Sequence, residues 1–222
     1  MEKPNDVMQA MFKREREIKI IRFNQLNHFS RKGEIVLSGS SLMEQFPVNE
    51  MLMTLGKNHI VYNRGIGGDT TLDLLNDLDS CIFDLEPGKL FLNIGTNDIG
   101  KPDYDEDTLV SNYRLILARI HDRLPGTEVY LLSYYPVNPN KDSDIPEEFK
   151  AGMFVTRTNK AIESANKRVR QLAEELSHTY VDVSTPLFDE TGNLKEAYTV
   201  EGVHMWPAAY QKVLEILLDY FE

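Results

Sequence analysis

Short apolar segments alternate along the chain with longer segments whose apolar residues recur every three or four positions. Five of the short segments are mostly apolar and rich in branched or aromatic side chains, which is typical of buried strands. They are Glu34–Ser38, His59–Asn63, Lys89–Ile94, Glu128–Ser133 and Thr179–Val183. The pattern therefore predicts five strands, none of them long.

The longer segments show the period of a helix. Apolar residues follow one another at helical spacing from Leu109 to Leu124, from Ile162 to Leu176 and from Tyr210 to Phe221, and Pro207 suits the first turn of the last helix. A less regular stripe from Asn5 to Gln25 predicts a helix packed at the edge of the domain. Strands that alternate with helices predict a parallel sheet covered on both faces.

Length and composition fit one folded domain. The chain has 222 residues, of which 41% are hydrophobic and 27% charged, as in ordinary globular proteins. We predict a single domain over residues 1–222, with residues 1–33 as an N-terminal helical extension packed on it. One cysteine, Cys81, cannot form an internal disulfide, and no apolar run is long enough to cross a bilayer. We therefore expect a cytoplasmic protein without stable membrane anchoring.

The charge balance restricts the class of partner. The formal net charge is −11, from 24 basic and 35 acidic residues, and an acidic body repels nucleic acid and anionic lipid. We expect no nucleic-acid partner and leave a homodimer open. The acidic run from Asp103 to Asp107 lacks the pattern of an EF-hand loop, and it stands where a helix N-terminus favours negative charge. We interpret it as a helix cap.

Four short blocks lie where a parallel sheet binds ligands, at the carboxyl ends of its strands. Three of them follow the first three predicted strands, and the fourth precedes the last helix. They are Gly39-Ser40-Ser41-Leu42, Asn63-Arg64-Gly65-Ile66-Gly67-Gly68-Asp69-Thr70-Thr71, Gly95-Thr96-Asn97-Asp98 and Glu201-Gly202-Val203-His204. Each block alone is more often an ordinary turn or a helix cap.

Together the blocks contain the parts that acyl transfer needs. Such chemistry requires an activated hydroxyl, a base, a group that orients the base, and donors for the developing oxyanion. Ser41, His204 and Glu201 supply the first three. The backbone amides of Ser41 and Gly68 and the side-chain amide of Asn97 supply the donors, since an asparagine offers neutral N–H groups that a carboxylate lacks.

The four blocks, in this order, resemble those of the SGNH (GDSL) hydrolases, and in particular their platelet-activating-factor-acetylhydrolase-like branch. The resemblance runs from about residue 34 to the end of the chain. It implies a three-layer α/β/α fold of flavodoxin-like kind around the five-stranded parallel sheet. It also implies Ser41 as nucleophile, Gly68 and Asn97 as oxyanion donors and His204 as base, with no metal or organic cofactor.

Two positions depart from the family pattern. Ser40 stands where the family has an aspartate, so the charged group that precedes the nucleophile in the family is absent here. Ser40 also carries a hydroxyl, which makes it a rival to Ser41 as the nucleophile. Glu201 replaces the aspartate that orients the histidine. Triads of Ser, His and Glu exist on α/β folds. The alternative is a surface Glu201 and a Ser41–His204 dyad.

The resemblance implies a hydrolase of short-chain, acetyl-like carboxylic esters that forms an acyl-enzyme on Ser41, with a small-molecule ester as substrate. A transacylase or carbohydrate deacetylase remains an alternative, as does a degenerate binding protein. Tyr134 and Tyr135 follow the fourth predicted strand, and residues 138–154 form the longest stretch without periodicity. We expect both tyrosines, with Met153 and Phe154, to bind the substrate.

Overall fold

The computed structural model describes residues 4–222, with side chains from residue 7 onward. Its centre is a sheet of five parallel strands in the order β2-β1-β3-β4-β5. The strands are β1 (Ile35–Gly39), β2 (Val61–Gly65), β3 (Lys89–Asn93), β4 (Glu128–Leu132) and β5 (Thr179–Val181). All five predicted strands are present, and their ends differ from the prediction by two residues or fewer.

Helices connect the strands and cover the sheet. They are α1 (Pro4–Asn27), α2 (Ser41–Glu44), α3 (Val48–Thr54), α4 (Thr71–Asn76), α5 (Leu78–Cys81), α6 (Thr96–Ile99), α7 (Glu106–Arg123), α8 (Glu147–Met153), α9 (Asn159–Glu175) and α10 (Pro207–Phe221). The four helices predicted from periodicity correspond to α1, α7, α9 and α10. Asp105 caps α7 by accepting the Thr108 amide at 2.9 Å, as the acidic run predicts.

The core has two halves, one on each face of the sheet. Alternate residues of a strand point to opposite faces, so Leu90 and Leu92 of β3 lie in one half and Phe91 lies in the other. Helices α4, α7 and α9 supply the first half, while α3 and α10 supply the second. The predicted three-layer α/β/α arrangement is therefore confirmed.

Helix α1 packs beside α5 at the edge of the first core half. Ile20 and Phe23 are partly buried against that half, and Asn27 is buried, where its side chain donates to the Ser80 carbonyl at 2.8 Å. Cys81 is also buried, and burial raises the pKa of its thiol to about 12. Among the described residues, no helix combines the length and apolar character needed to span a bilayer.

Candidate active site

Ser41 is the first residue of α2, which begins immediately after β1. The turn between them holds because the Ser40 carbonyl accepts the Glu44 amide at 2.9 Å. Gly39 makes the turn feasible, since a Cβ at this position would lie 2.1 Å from the Asn93 carbonyl oxygen of the neighbouring strand. The tight passage from strand to helix places Ser41 at the carboxyl edge of the sheet, where its side chain is partly exposed.

Ser41, His204 and Glu201 form a continuous hydrogen-bonded chain. The Nε2 atom of His204 lies 3.0 Å from Ser41 Oγ, and the Nδ1 atom of the same ring lies 2.5 Å from Glu201 Oε1. Glu201 is buried, whereas His204 is partly exposed. The structure thus brings together the three side chains selected from sequence, although 163 positions separate Ser41 from His204.

A tight loop presents Glu201 and His204 on the same side. The Val200 amide donates to the His204 carbonyl at 2.9 Å, and the Gly202 amide donates to Thr199 Oγ1 at 2.8 Å. Burial raises the pKa of Glu201, but hydrogen bonds from the His204 ring and backbone outweigh burial, so the pKa lies below its ordinary value. Glu201 is therefore ionised at neutral pH and stabilises a proton on Nδ1 of His204.

The candidate oxyanion donors surround the same edge. Gly68 follows β2 in a left-handed conformation, with φ +83°, and its backbone is exposed. Within residues 4–222, the backbone amides of Ser41 and Gly68 donate to no protein group. The Asn97 Nδ2 atom donates to the Asp69 carbonyl at 3.0 Å, which leaves its second hydrogen available for an oxyanion.

The side-chain amide of Asn97 has a defined orientation. Arg157 Nη2 lies 3.4 Å from Asn97 Oδ1, and Arg157 Nε donates to the Thr96 carbonyl at 3.1 Å. A guanidinium donates hydrogen bonds and never accepts them, so the Asn97 side-chain oxygen faces Arg157. The NH2 group of Asn97 therefore faces the opposite way, toward the Asp69 carbonyl next to Gly68. Sequence reasoning missed Arg157, because it lies in a loop far from the recognised blocks.

Ser40 occupies a different environment from Ser41. It is 1% exposed, and its Oγ has no hydrogen-bond partner among the described residues. Because Ser41 Oγ is the hydroxyl that lies next to His204, the geometry favours Ser41 over Ser40 as the nucleophile. The replacement of the family aspartate by Ser40 leaves this buried position uncharged.

A groove of about 650 Å³ opens beside His204. Residues 141–153 form one wall, and the loop around Glu201 forms the other. Charged side chains and exposed aromatic rings line the groove together. The lining includes Lys141, Asp142, Asp144, Phe149, Met153 and Trp206. Met153, one of the predicted substrate-binding residues, lies on a wall of this groove, and its contact with a substrate stays a prediction.

The other three predicted substrate-binding residues do not line this groove. Tyr134 and Tyr135 are 1% and 2% exposed, and the Tyr134 hydroxyl donates to the Ile94 carbonyl at 2.8 Å. The prediction for these two tyrosines is wrong, because their rings fill the core beyond β4. Phe154 packs against the backbone of Gly202, where a Cβ would lie 2.7 Å from its ring. It supports the loop between Glu201 and His204.

Comparison with known proteins gives related sequences and structures. A protein from Streptococcus pneumonia described as a platelet activating factor has 32% sequence identity and a TM-score of 0.87, covering 98% of this chain and 97% of that one. A Bacteroides fragilis NCTC 9343 protein described as an acylhydrolase has 21% identity and a TM-score of 0.74, with coverage of 90% and 94%. The acetylxylan esterase Axe2 of Geobacillus stearothermophilus has 16% identity and a TM-score of 0.66, with coverage of 86% and 95%. The last two show a shared fold.

One curated relative is only partly comparable. The N-acylneuraminate cytidylyltransferase of Escherichia coli O18:K1:H7 is 25% identical over 180 residues, which is 80% of this chain but 38% of that protein. This chain therefore spans well under half of the relative's length.

A family model places the chain among known hydrolases. The model of the GDSL-like Lipase/Acylhydrolase family matches residues 47–212, a range that includes Gly68, Asn97, Glu201 and His204. The match begins after Ser41, so the assignment of the nucleophile depends on the geometry described above. The chain belongs to the GDSL-like lipase/acylhydrolase family.

Proposed function

We propose that the chain hydrolyses short-chain carboxylic esters through an acyl-enzyme on Ser41. The observation that carries this proposal is the hydrogen-bonded chain from Ser41 through His204 to Glu201, together with the Ser41 and Gly68 amides, which have no protein partner among the described residues. A serine hydroxyl is a weak nucleophile until an adjacent base accepts its proton. The chain of contacts supplies that base and the carboxylate that orients it.

The reaction has two halves. Ser41 Oγ attacks the ester carbonyl while its proton passes to His204 Nε2, and the oxyanion forms among the Ser41, Gly68 and Asn97 donors. The tetrahedral intermediate then collapses, the bond to the leaving oxygen breaks, and His204 returns the proton to the departing alcohol. In the second half, water attacks the acyl-enzyme, and His204 again accepts a proton and passes it to Ser41 Oγ, which releases the acid.

The groove beside His204 favours a short acyl group. Lys141, Asp142 and Asp144 line it together with apolar side chains. A long acyl chain there would lie against charged groups and would gain little of the ~0.8 kcal/mol per methylene that apolar burial supplies. An acetyl group needs no such channel.

A carbohydrate ester is a second candidate substrate. Trp206 is 50% exposed and Phe149 is 61% exposed, and both line the groove beside the charged groups. Sugars present apolar faces and hydroxyl edges, so exposed aromatic rings next to charged side chains suit a sugar leaving group. Hydrolysis of acetylated xylo-oligosaccharides, compared in wild type and Trp206→Ala, tests this candidate. A Trp206→Ala protein with an unchanged KM for the sugar ester contradicts it.

A fluorophosphonate probe followed by peptide mapping tests the proposed mechanism. We expect a covalent adduct on Ser41, no labelling of Ser41→Ala, and retained labelling of Ser40→Ala. An adduct on Ser40 overturns the assignment of the nucleophile. Absence of any adduct on a folded wild-type protein favours the alternative of a degenerate binding protein. A transacylase is distinguished by acyl transfer to added alcohols or glycans that outruns hydrolysis.

A further inference from the structure

Helix α1 holds the loop that carries the Gly68 amide. Arg16 Nε donates to Asp69 Oδ1 at 2.7 Å, and Arg16 Nη2 donates to Asp69 Oδ2 at 3.0 Å. Paired bonds from a planar guanidinium fix the orientation of a carboxylate more firmly than a single contact does. Asp69 is 2% exposed and follows Gly68 directly, so this pair restrains the residue next to a candidate oxyanion donor.

The same helix is also connected to the loop indirectly, through Glu44. Lys19 Nζ lies 2.6 Å from Glu44 Oε1, and Glu44 Oε2 accepts the Gly67 amide at 2.5 Å. Glu44 belongs to α2, one turn after Ser41. Adjacent turns of α1 therefore bind both the Gly68 loop and the short helix that begins at Ser41.

Asp69 also connects α1 to the third donor. Its backbone carbonyl accepts Asn97 Nδ2 at 3.0 Å, while its carboxylate binds Arg16. A shift of Asp69 would consequently move the Gly68 amide and release the Asn97 side chain. Donors that are already in place stabilise an oxyanion without reorganising during the reaction, so their restraint bears directly on the rate.

We propose that Arg16 is a positioning residue for ester hydrolysis, because its pair with Asp69 holds the Gly68 and Asn97 donors at the oxyanion site. The inference rests on the proposed function and adds to it a residue of α1, which lies outside the range matched by the family model. Arg16 acts through Asp69 and does not touch the reacting atoms.

The first test is the Arg16→Gln variant with an aryl acetate as substrate. We expect kcat to fall by about 10- to 100-fold with little change in KM, since displaced donors weaken transition-state binding more than substrate binding. The second measurement is inhibition by a trifluoromethyl ketone. Ser41 Oγ adds to the carbonyl carbon of this inhibitor, and the carbonyl oxygen becomes an oxyanion. Its inhibition constant rises by the same factor as kcat/KM falls. A role in stability alone would leave that constant unchanged in the folded variant.

Two variants serve as matched controls. Asp77 Oδ2 accepts a hydrogen bond from Arg16 Nη2 at 2.6 Å, but among the described residues Asp77 has no bond to the Gly68 loop. Asp77→Asn lowers the melting temperature while Arg16 keeps both bonds to Asp69, so kcat changes by less than about threefold. Arg14 lies on the same helix and, within the part of the chain that the structure describes, pairs only with the exposed Glu17. Arg14→Gln changes neither kcat nor the melting temperature.

Asp69→Asn completes the design, because it preserves side-chain shape and removes the charge that Arg16 binds. We expect kcat to fall about as far as in Arg16→Gln. The double variant should have a kcat close to that of the less active single variant, since both substitutions break the same Arg16–Asp69 pair. A folded Arg16→Gln protein with kcat within about twofold of wild type overturns the inference. If Arg16→Gln does not fold, an unchanged kcat in Asp69→Asn overturns it.

Failure of the proposed function gives a different result. In that case the wild-type protein itself shows no esterase activity and no adduct on Ser41. Failure of the positioning role alone leaves an active, labelled wild type and equally active Arg16 and Asp69 variants.

Discussion

Glu201 Oε1 accepts two hydrogen bonds from His204, one from the ring Nδ1 at 2.5 Å and one from the backbone amide at 2.9 Å. The same oxygen therefore fixes both the ring and the main chain of the histidine. With Nδ1 bound in this way, Nε2 is left to accept the Ser41 proton. A glutamate is one methylene longer than the family aspartate, and the tight loop accommodates the extra length.

We expect Glu201→Gln to lower kcat by about 10- to 1,000-fold with little change in KM, because the charge that stabilises an imidazolium is lost. Steady-state hydrolysis of an aryl acetate measures the effect. Glu190→Gln, at an exposed position eleven residues before Glu201, is the matched control and keeps wild-type activity. If kcat of Glu201→Gln stays within about twofold of wild type, the site operates as a Ser41–His204 dyad.

Asn97 gives a test of the oxyanion site. Asn97→Ala removes one donor, and such losses cost about 100- to 1,000-fold in kcat. Asn97→Asp keeps the size of the side chain but places a negative charge beside the oxyanion, so we expect a loss at least as large. Both rates are compared at saturating aryl acetate. Equal activity in the wild type and both variants would exclude Asn97 from the oxyanion site.

The charged lining of the groove predicts a preference for short acyl chains. We expect kcat/KM for p-nitrophenyl acetate to exceed that for the decanoate, since a long chain finds no continuous apolar surface beside Lys141, Asp142 and Asp144. A series of p-nitrophenyl esters of increasing length measures the preference. Higher kcat/KM for acyl chains of about ten carbons would contradict a short acyl site.

The fold and the clustering of Ser41, His204 and Glu201 could be predicted from the sequence because their signals are local. Each block follows a strand or precedes a helix, and the register pairs Gly39 with both Gly65 and Asn93, so the ends of the first three strands meet at one edge. The site's supporting contacts have no such signal. Arg16 reaches Asp69 across 53 positions and Arg157 reaches Asn97 across 60, and neither arginine belongs to a motif.

The two tyrosines show the limit of the rule that substrates bind where strands end. Tyr134 does follow β4 at the correct edge, but its hydroxyl packs against Gly95. A Cβ added to Gly95 would lie 2.4 Å from that hydroxyl oxygen. Position along the strand indicates the edge of the sheet. It does not indicate whether a side chain turns outward or into the core, because that depends on the packing of neighbouring loops.

Asp69 predicts a dependence of stability on pH. Burial raises its pKa from 3.8 to about 6, although hydrogen bonds from Arg16 act in the opposite direction, and the neighbouring charges of Asp73 and Asp77 raise it further. In the unfolded chain, Asp69 loses its proton near the ordinary value. Between about pH 4 and 6 the native state therefore holds more protons than the unfolded state, so stability falls as pH rises through this window.

Asp69→Asn removes this titration and provides the measurement. The quantity compared is the free energy of unfolding of the wild type minus that of the variant. We expect this difference to fall by at most about 3 kcal/mol between pH 4 and 6.5, because that energy corresponds to the rise in the pKa of Asp69 from 3.8 to about 6. Urea denaturation at several pH values gives both free energies. Asp219→Asn, an exposed position on α10, is the control and should parallel the wild type. A difference that stays constant or grows with pH would show that the Asp69 carboxylate is ionised in the native state throughout this range, and that Arg16 outweighs burial.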